Sequence, residues 1–341
     1  SALADVYVIA ALRVAAQQVQ SRHGAPTVER SDGGEEPCGV VVLGLGKYGG
    51  RELSYGSDLD LIFVYDEEGH TTGVPGESRD RGRISNYLYF TRLYERFHQA
   101  VSRLTKAGFA YRIDSRLRPE GKQGPLALSV RGYRRYFEGR AETWERQAFI
   151  KARVVAGDEA LGRRFMDVVH DFVYAAAWSP TIVDEVEHVR WRMETELARE
   201  YSDQRNVKLG YGGIVDIEFL TQLLQLRHGA EHRELRTPNT LEALERLGVG
   251  GWMDESDCEE LRECYFFLRK LENRIRIVQQ VPANILPSSH RELSALARRL
   301  GYISTPGMSP GQVLMDDYTV RTRRVREIYT SVLAMVRGSP T

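Results

Sequence analysis

Asp58 and Asp60 stand two residues apart in Ser57-Asp58-Leu59-Asp60-Leu61. On a strand that spacing points both carboxylates to one face, and sends Leu59, Leu61 and Phe63 to the other, into a core. Two carboxylates side by side raise each other's pKa unless a cation lies between them. Magnesium suits the role, being a hard cation that takes oxygen ligands and holds substrate phosphates. A third carboxylate, Asp114, lies in Tyr111-Arg-Ile-Asp-Ser-Arg-Leu-Arg-Pro119. Period two there puts Arg112, Asp114, Arg116 and Arg118 on one face. Such a charged row is costly to bury, but it makes sense facing a triphosphate and its metals. Asp58, Asp60 and Asp114 are therefore expected to be the catalytic metal ligands for two Mg²⁺ ions. The chemistry is in-line attack on the α-phosphate of a nucleoside triphosphate, with the attacking and leaving oxygens both stabilised.

The elements that must position these groups lie between Val40 and Asp66. A short buried strand, a glycine-rich turn and about two turns of helix are expected before the acidic strand. Gly46, Lys47, Gly49, Gly50 and Ser57 of this stretch form the expected nucleotide-binding set with Arg116 and Arg118. Lys151 and Arg153 join them, their bland reading being a solvated helix face. Gly44-x-Gly46-x-x-Gly49 also matches a dinucleotide fingerprint, with Asp66 beyond it. A parallel crossover needs a dozen or more residues, and only Arg51 to Gly56 are available. A phosphate-binding loop of the G-x-x-x-x-G-K-S/T type is excluded, because Val41 stands where glycine is required and Tyr48 follows Lys47. The competing classes are a Rossmann-type oxidoreductase and a regulatory module that binds nucleotide without turnover.

At 341 residues the chain is long enough for two domains. Its 47 Lys and Arg balance 47 Asp and Glu, which argues against nucleic-acid coating and membrane-surface binding. Arg131 to Arg164 is locally basic, with nine basic against five acidic residues. Cys38, Cys258 and Cys264 lack metal-ligand spacing, and a reducing, cytoplasmic home is expected. No apolar run is expected to reach membrane-spanning length. Leu3 to Val19 reads as a packing helix, Ser21 to Pro37 and Asp66 to Arg83 as mobile polar loops, and Ile84 to about Gly108 as a helix. Val130 to Val155 reads as amphipathic helix. From Leu161 onward the pattern is helical: Phe165–Ala177, Thr181–Tyr201, Val215–Gly229, Leu241–Leu247, Asp254–Gln280 and Gln312–Val336. Asn206 to Gly213 places amides at a helix start, where anions bind readily. Lys208, Gly212, Gly213, Asp216 and Glu218 form a possible second, anion-facing lip. For Asp216 and Glu218 the plainer reading is a favourable interaction with the helix N-terminus.

Gly44-Leu-Gly-Lys-Tyr-Gly-Gly-Arg-Glu-Leu53 and Ser57-Asp-Leu-Asp-Leu61 resemble glutamine synthetase adenylyltransferase, of the polymerase β-like nucleotidyltransferases. The likeness continues through Tyr111–Gly121, Trp144-Glu-Arg-Gln-Ala148, Lys151-Ala-Arg153 and Gly212-Gly-Ile-Val-Asp-Ile-Glu-Phe219. It implies an α+β fold: a small mixed sheet with helices over 1–160, catalytic strands near 39–66 and 110–118, and an all-helical bundle over 161–341. It implies ATP as substrate, glutamine synthetase as protein substrate, and the PII signal protein and the other half of a bifunctional enzyme as partners. One half of that family transfers AMP to a synthetase tyrosine, and the other removes it by phosphorolysis. Tyr-Gly-Ser-Asp-Leu-Asp and Gly-Gly-Ile-Val-Asp-Ile-Glu-Phe are more similar to the adenylylating half. Leu268-Arg-Lys-Leu-Glu-Asn273 is more similar to the removing half.

Overall fold

The computed structural model describes residues 1–341 except 75, 79–80, 105, 107, 176–177, 199, 201–203, 280–283 and 339–341. The chain divides into two compact units. One comprises Ser1–Leu53 and Ser57–Ala176, the other Ser54–Gly56 and Ala177–Thr341. The division thus falls later than residue 160, and the short Ser54–Gly56 segment goes with the helical unit.

The first unit opens with α1 (Ala2–His23), whose Ala4, Val8, Ala11, Leu12, Ala15 and Val19 are buried. Contrary to expectation, α1 is long and apolar enough by length and composition to cross a membrane, and 33% of its apolar window is buried. The expected loop after it instead holds β1 (Pro26–Glu29) and β2 (Glu35–Pro37), paired antiparallel. Asp32-Gly33-Gly34 makes the turn: Gly33 has φ 82°, and Arg30 N–H donates to Gly34 O at 2.7 Å. Such turns need residues that tolerate positive φ.

Next come β3 (Val40–Gly44), the single turn α2 (Gly46–Gly49) and β4 (Leu59–Tyr65). β4 is buried along nearly its whole length because both of its faces are covered. β3 and β4 pair antiparallel, with Val42 opposite Phe63. That pairing removes the Rossmann alternative, which requires a parallel crossover. β5 (His70–Thr71) pairs with β1, so the second expected loop also contributes to the small sheet β2-β1-β5.

α3 (Asn86–Ser102) starts where the Ser85 hydroxyl accepts from Leu88 N–H, and it ends before Gly108. Phe90, Phe97 and Tyr94 of α3 pack on Tyr65 and Phe63 of β4. β6 (Ile113–Asp114) is only two residues long. β7 (Ala127–Ser129), α4 (Val130–Gly139), α5 (Thr143–Ile150), β8 (Arg153–Gly157) and α6 (Glu159–Tyr174) complete the unit. The expected continuous helix to Val155 therefore breaks into two helices and a strand that pairs with β3. The main sheet runs β6-β4-β3-β8, with β7 also beside β4. β6 and β7 lie parallel to β4, and β3 antiparallel to it.

The second unit is helical: α7 (Thr181–Arg192), α8 (Ile214–His228), α9 (Thr240–Val249), α10 (Glu255–Gln279), α11 (His290–Arg299) and α12 (Pro310–Gly338). The expected helix ends at Ala177, Tyr201 and Gln280 lie outside the described residues. α11 was not expected; it is strongly polar and buries only Ser294, Leu296 and Ala297. Small sheets plus helices make this a mixed α/β protein.

Candidate active site

The carboxylates are set by the backbone ladder at one end of the main sheet. In the parallel pair β4–β6, Leu59 lies opposite Ile113 and Asp60 opposite Asp114. Leu59 N–H donates to Arg112 O at 2.8 Å, and Leu45 N–H to Asp60 O at 2.9 Å. These bonds fix where Asp58, Asp60 and Asp114 leave the chain. Asp58 is exposed, and Asp60 and Asp114 are half-buried.

The glycine turn closes against Asp60. Gly46 has φ 51°, and a Cβ there would lie 2.4 Å from Asp60 Oδ2. Only glycine fits both the left-handed backbone and the approach of the carboxylate. Gly49 fills a second tight contact, since a Cβ would fall 1.8 Å from the Lys151 carbonyl oxygen. Gly49 and Gly50 amides donate to Leu45 O and Gly46 O at 2.8 and 3.1 Å. Both amides are thus bonded within the turn. Ser57 is half-buried directly ahead of Asp58.

Asp114 faces Arg116. The guanidinium Nε donates to both Asp114 oxygens at 2.9 and 2.8 Å, and Arg116 N–H donates to Oδ1 at 2.9 Å. Burial pushes the Asp114 carboxyl up, but the hydrogen bonds and charge of Arg116 outweigh it and hold it below the usual carboxylate range. Arg116 is raised in turn, chiefly by Asp114 and further by Asp60 and Asp58. The guanidinium thus sits in the negative field of all three aspartates.

The other expected cations are committed elsewhere. β6 ends at Asp114 and the chain turns, so Arg116 and Arg118 do not share a strand face with it. Arg118 is buried and donates to the carbonyls of Ser115, Lys122 and Gly124 at 2.8–3.2 Å. It holds the loop together. Lys151 is buried, with Nζ 2.9 Å from Glu52 Oε2. Arg153 reaches Asp5 of α1 at 2.9 Å and the Gly49 carbonyl at 3.1 Å, bracing the glycine turn from behind. Sequence reasoning missed Glu52 and Asp5. Glu52 stands in the quoted Gly-Arg-Glu-Leu run, but its partner is far along the chain.

The proposed lip in the helical unit is also used internally. Asn206 Oδ1 accepts from Lys208 and Leu209 N–H, and Gly213 N–H donates to Gly210 O at 3.0 Å. Gly212 N–H donates to Asp216 Oδ2 at 2.9 Å. Asp216 is wholly buried against Arg190 and Arg326, so it cannot face an anion from a lip. Glu218 accepts from the Tyr265 hydroxyl at 3.4 Å. Lys208 remains half-buried at the turn.

The donor set near Gly46 suits a hard divalent cation: Asp60 and Asp114 at paired register positions, with Asp58 just ahead of β4, in a field already strong enough to draw a guanidinium. As arranged, however, no three acidic, cysteine or histidine side chains among the described residues are gathered closely enough to chelate one. Asp114 would have to exchange Arg116 for the metal.

Residues 1–168 match the glutamate-ammonia ligase adenylyltransferase family, and residues 185–333 match the family described as GlnD PII-uridylyltransferase. A bifunctional glutamine synthetase adenylyltransferase/adenylyl-removing enzyme of Methylococcus capsulatus is 37% identical over 94% of this chain and 32% of its own length. Its namesakes in Stenotrophomonas maltophilia and Pseudomonas putida are 35% and 36% identical over 99% and 86% of this chain, and 34% and 29% of their own lengths. The chain spans about a third of the length of these relatives. The match over residues 1–168 covers the glycine turn, Asp58, Asp60 and Asp114, and the chain belongs to the glutamine synthetase adenylyltransferase family.

Proposed function

We propose that this chain is a nucleotidyltransferase that moves AMP from ATP to a tyrosine hydroxyl of glutamine synthetase, as the relatives' names suggest. The supporting observation is the register that sets Asp60 beside Asp114 while Gly46 leaves room for the Asp60 carboxylate. In this reading the main sheet β6-β4-β3-β8 is a polymerase β-like nucleotidyltransferase core. Asp58, Asp60 and Asp114 would hold two Mg²⁺ ions, which when bound stabilise the attacking and leaving oxygens of an in-line displacement. The synthetase tyrosine hydroxyl gives up its proton to solvent as its oxygen attacks the α-phosphorus, the bond from that phosphorus to the bridging oxygen of the β-phosphate breaks, and pyrophosphate leaves. Arg116, released from Asp114, would be an exposed cation available to the phosphates, with Ser57 and Lys47 from the glycine-turn stretch. The PII protein and the other half of a bifunctional enzyme are the proposed partners.

The second reading is adenylyl removal, in which a phosphate oxygen attacks the AMP phosphorus, tyrosine leaves and ADP forms. Leu268-Arg-Lys-Leu-Glu-Asn273 favours it. Incubation with Mg²⁺, α-labelled ATP and unmodified synthetase decides between them. Label on the synthetase supports transfer. ADP released from adenylylated synthetase and phosphate, without labelling, supports removal. Neither product from a chain that binds ATP overturns both.

The same site makes Gly46→Ala informative. The new Cβ displaces the Asp60 carboxylate, and the left-handed backbone adds about 1 kcal/mol of strain. Misplacing a catalytic group by about an ångström costs on the order of a hundredfold in rate. Turnover should fall by that factor while circular dichroism remains native; turnover within about twofold of wild type would contradict the placement.

A further inference from the structure

Arg153 ties the glycine turn to α1. Its backbone lies opposite Gly44 in the β3–β8 ladder, where the turn begins. Its side chain reaches the other end of the turn: Nε donates to Gly49 O at 3.1 Å and Nη2 to Tyr48 O at 3.3 Å. The same guanidinium donates to both carboxylate oxygens of Asp5 in α1, from Nη1 to Oδ2 at 3.2 Å and from Nη2 to Oδ1 at 2.9 Å. It also lies over the buried Tyr48 ring, 5.5 Å from the ring centre. One residue therefore holds both ends of the Gly44–Gly49 stretch, and an acid from α1 orients it. All of these residues belong to the first unit.

From that far end the backbone leads straight to Asp60. Gly49 N–H donates to Leu45 O at 2.8 Å, and Leu45 N–H donates to Asp60 O at 2.9 Å. Gly46, next in the turn, has φ 51°, and a Cβ there would stand 2.4 Å from Asp60 Oδ2. A movement of the turn is therefore felt at the Asp60 carboxylate. α2 is a single turn, and so short a helix does not hold its shape by its own hydrogen bonds. Its glycines have the most conformational freedom to lose. Groups outside the turn must fix it. A planar guanidinium, with its donors in a fixed fork, can hold a carboxylate and two carbonyls at once, whereas a lysine ammonium is a point charge.

We propose that Arg153, oriented by Asp5, is a positioning residue for nucleotidyl transfer: it fixes the glycine turn, and the turn sets the Asp60 carboxylate where metal-bound nucleotide meets it. This rests on the reading of Asp60 as a ligand of that metal. Anchoring of α1 is a separate matter, since Ala4, Val8, Leu12, Ala15 and Val19 bury its inner face. A bond that only fastened α1 would use Asp5 and would need no carbonyl of the glycine turn.

The test follows Mn²⁺ binding by electron paramagnetic resonance, exchange of the Leu45 and Gly49 amides, and the melting temperature, all in the full chain. Lost support for a metal ligand costs on the order of tenfold in affinity. Arg153→Met should weaken Mn²⁺ binding by about that factor and quicken exchange of both amides. The sign is diagnostic, because deleting a positive charge would by charge alone strengthen the binding of a cation. Arg153→Lys keeps the charge but cannot hold the carboxylate and the carbonyls together. It should also weaken binding, and it decides the matter should Arg153→Met not fold. Val19→Ala loosens α1 about 21 Å along the helix from Asp5. It should lower the melting temperature and bind Mn²⁺ like wild type. Wild-type or tighter Mn²⁺ binding by the folded Arg153 variant would overturn the proposal, as would an equal loss in Val19→Ala. Mn²⁺ binding that weakens as expected, with no AMP transfer by the wild-type chain, would leave the positioning role standing and overturn the synthetase reaction. A wild-type chain that binds no Mn²⁺ would overturn both.

Discussion

If the proposed reaction is right, Asp60→Asn should abolish AMP transfer and leave the protein folded. The substitution keeps the volume and the β4 ladder, in which Asp60 takes part through its backbone. It removes one of the negative charges that draw a cation to this end of the sheet. Loss of at least about a thousandfold in turnover, equivalent to about 4 kcal/mol of transition-state stabilisation, is expected. Asp58→Asn should behave alike, because its side chain is exposed and contributes little to the core. Labelled transfer and Mn²⁺ binding, measured on variants with native circular dichroism, check the result. Retained turnover would end the assignment of these carboxylates.

Asp216→Ala should do the opposite: it should weaken the helical unit through its interior. Asp216 and Arg190 are both buried and directly paired, and Arg326 Nε lies 2.9 Å from Asp216 Oδ2. Glu194 completes the network, 3.2 Å from Arg190 and also paired with Arg326. Arg190 further donates to Gly210 O at 2.8 Å, and the Gly212 amide rests on Asp216. Removing Asp216 leaves the buried Arg190 and the partly buried Arg326 to share the one carboxylate of Glu194. Breaking a buried pair in this way costs about 3–5 kcal/mol. In a unit of this size the melting transition should drop by about 10 °C. A drop under about 2 °C in thermal denaturation would show that the charges are not dry.

The two cases divide what the residues reveal from what they hide. β3 and β4 could be read because Val40–Leu43 and Leu59–Tyr65 carry apolar runs bounded by glycines and acids. Asp60 could be placed on its strand for the same reason, but β4 begins at Leu59, so strand alternation does not put Asp58 on a shared face with it. Beyond Asp114, alternation misled. Tyr111–Pro119 has period two, yet only Ile113 and Asp114 are strand, because Arg118 finds carbonyl partners that a strand would deny it. β1 and β2 carry no apolar alternation and are largely exposed, so only Asp32-Gly33-Gly34 could have announced their hairpin. Partners distant in sequence were invisible. Lys151 reads as a phosphate ligand until Glu52 is found beside it, and Asp216 as a lip residue until Arg190 and Arg326 close over it.

The strand order also bears on how the chain acquires its chemistry during synthesis. β3 and β4 are antiparallel neighbours joined by a short connection, and they can pair early. β6 and β7 reach β4 only after α3 has been made, and β8 reaches β3 later still. Closing such loops is entropically costly until the non-local contacts repay it, so those strands join late. A nascent or partly folded chain therefore carries the glycine turn and Asp60 before Asp114 is in place. It could present an acidic strand end, but not a complete site for turnover. On the proposed reading, the carboxylate set is complete only once β6 has joined β4.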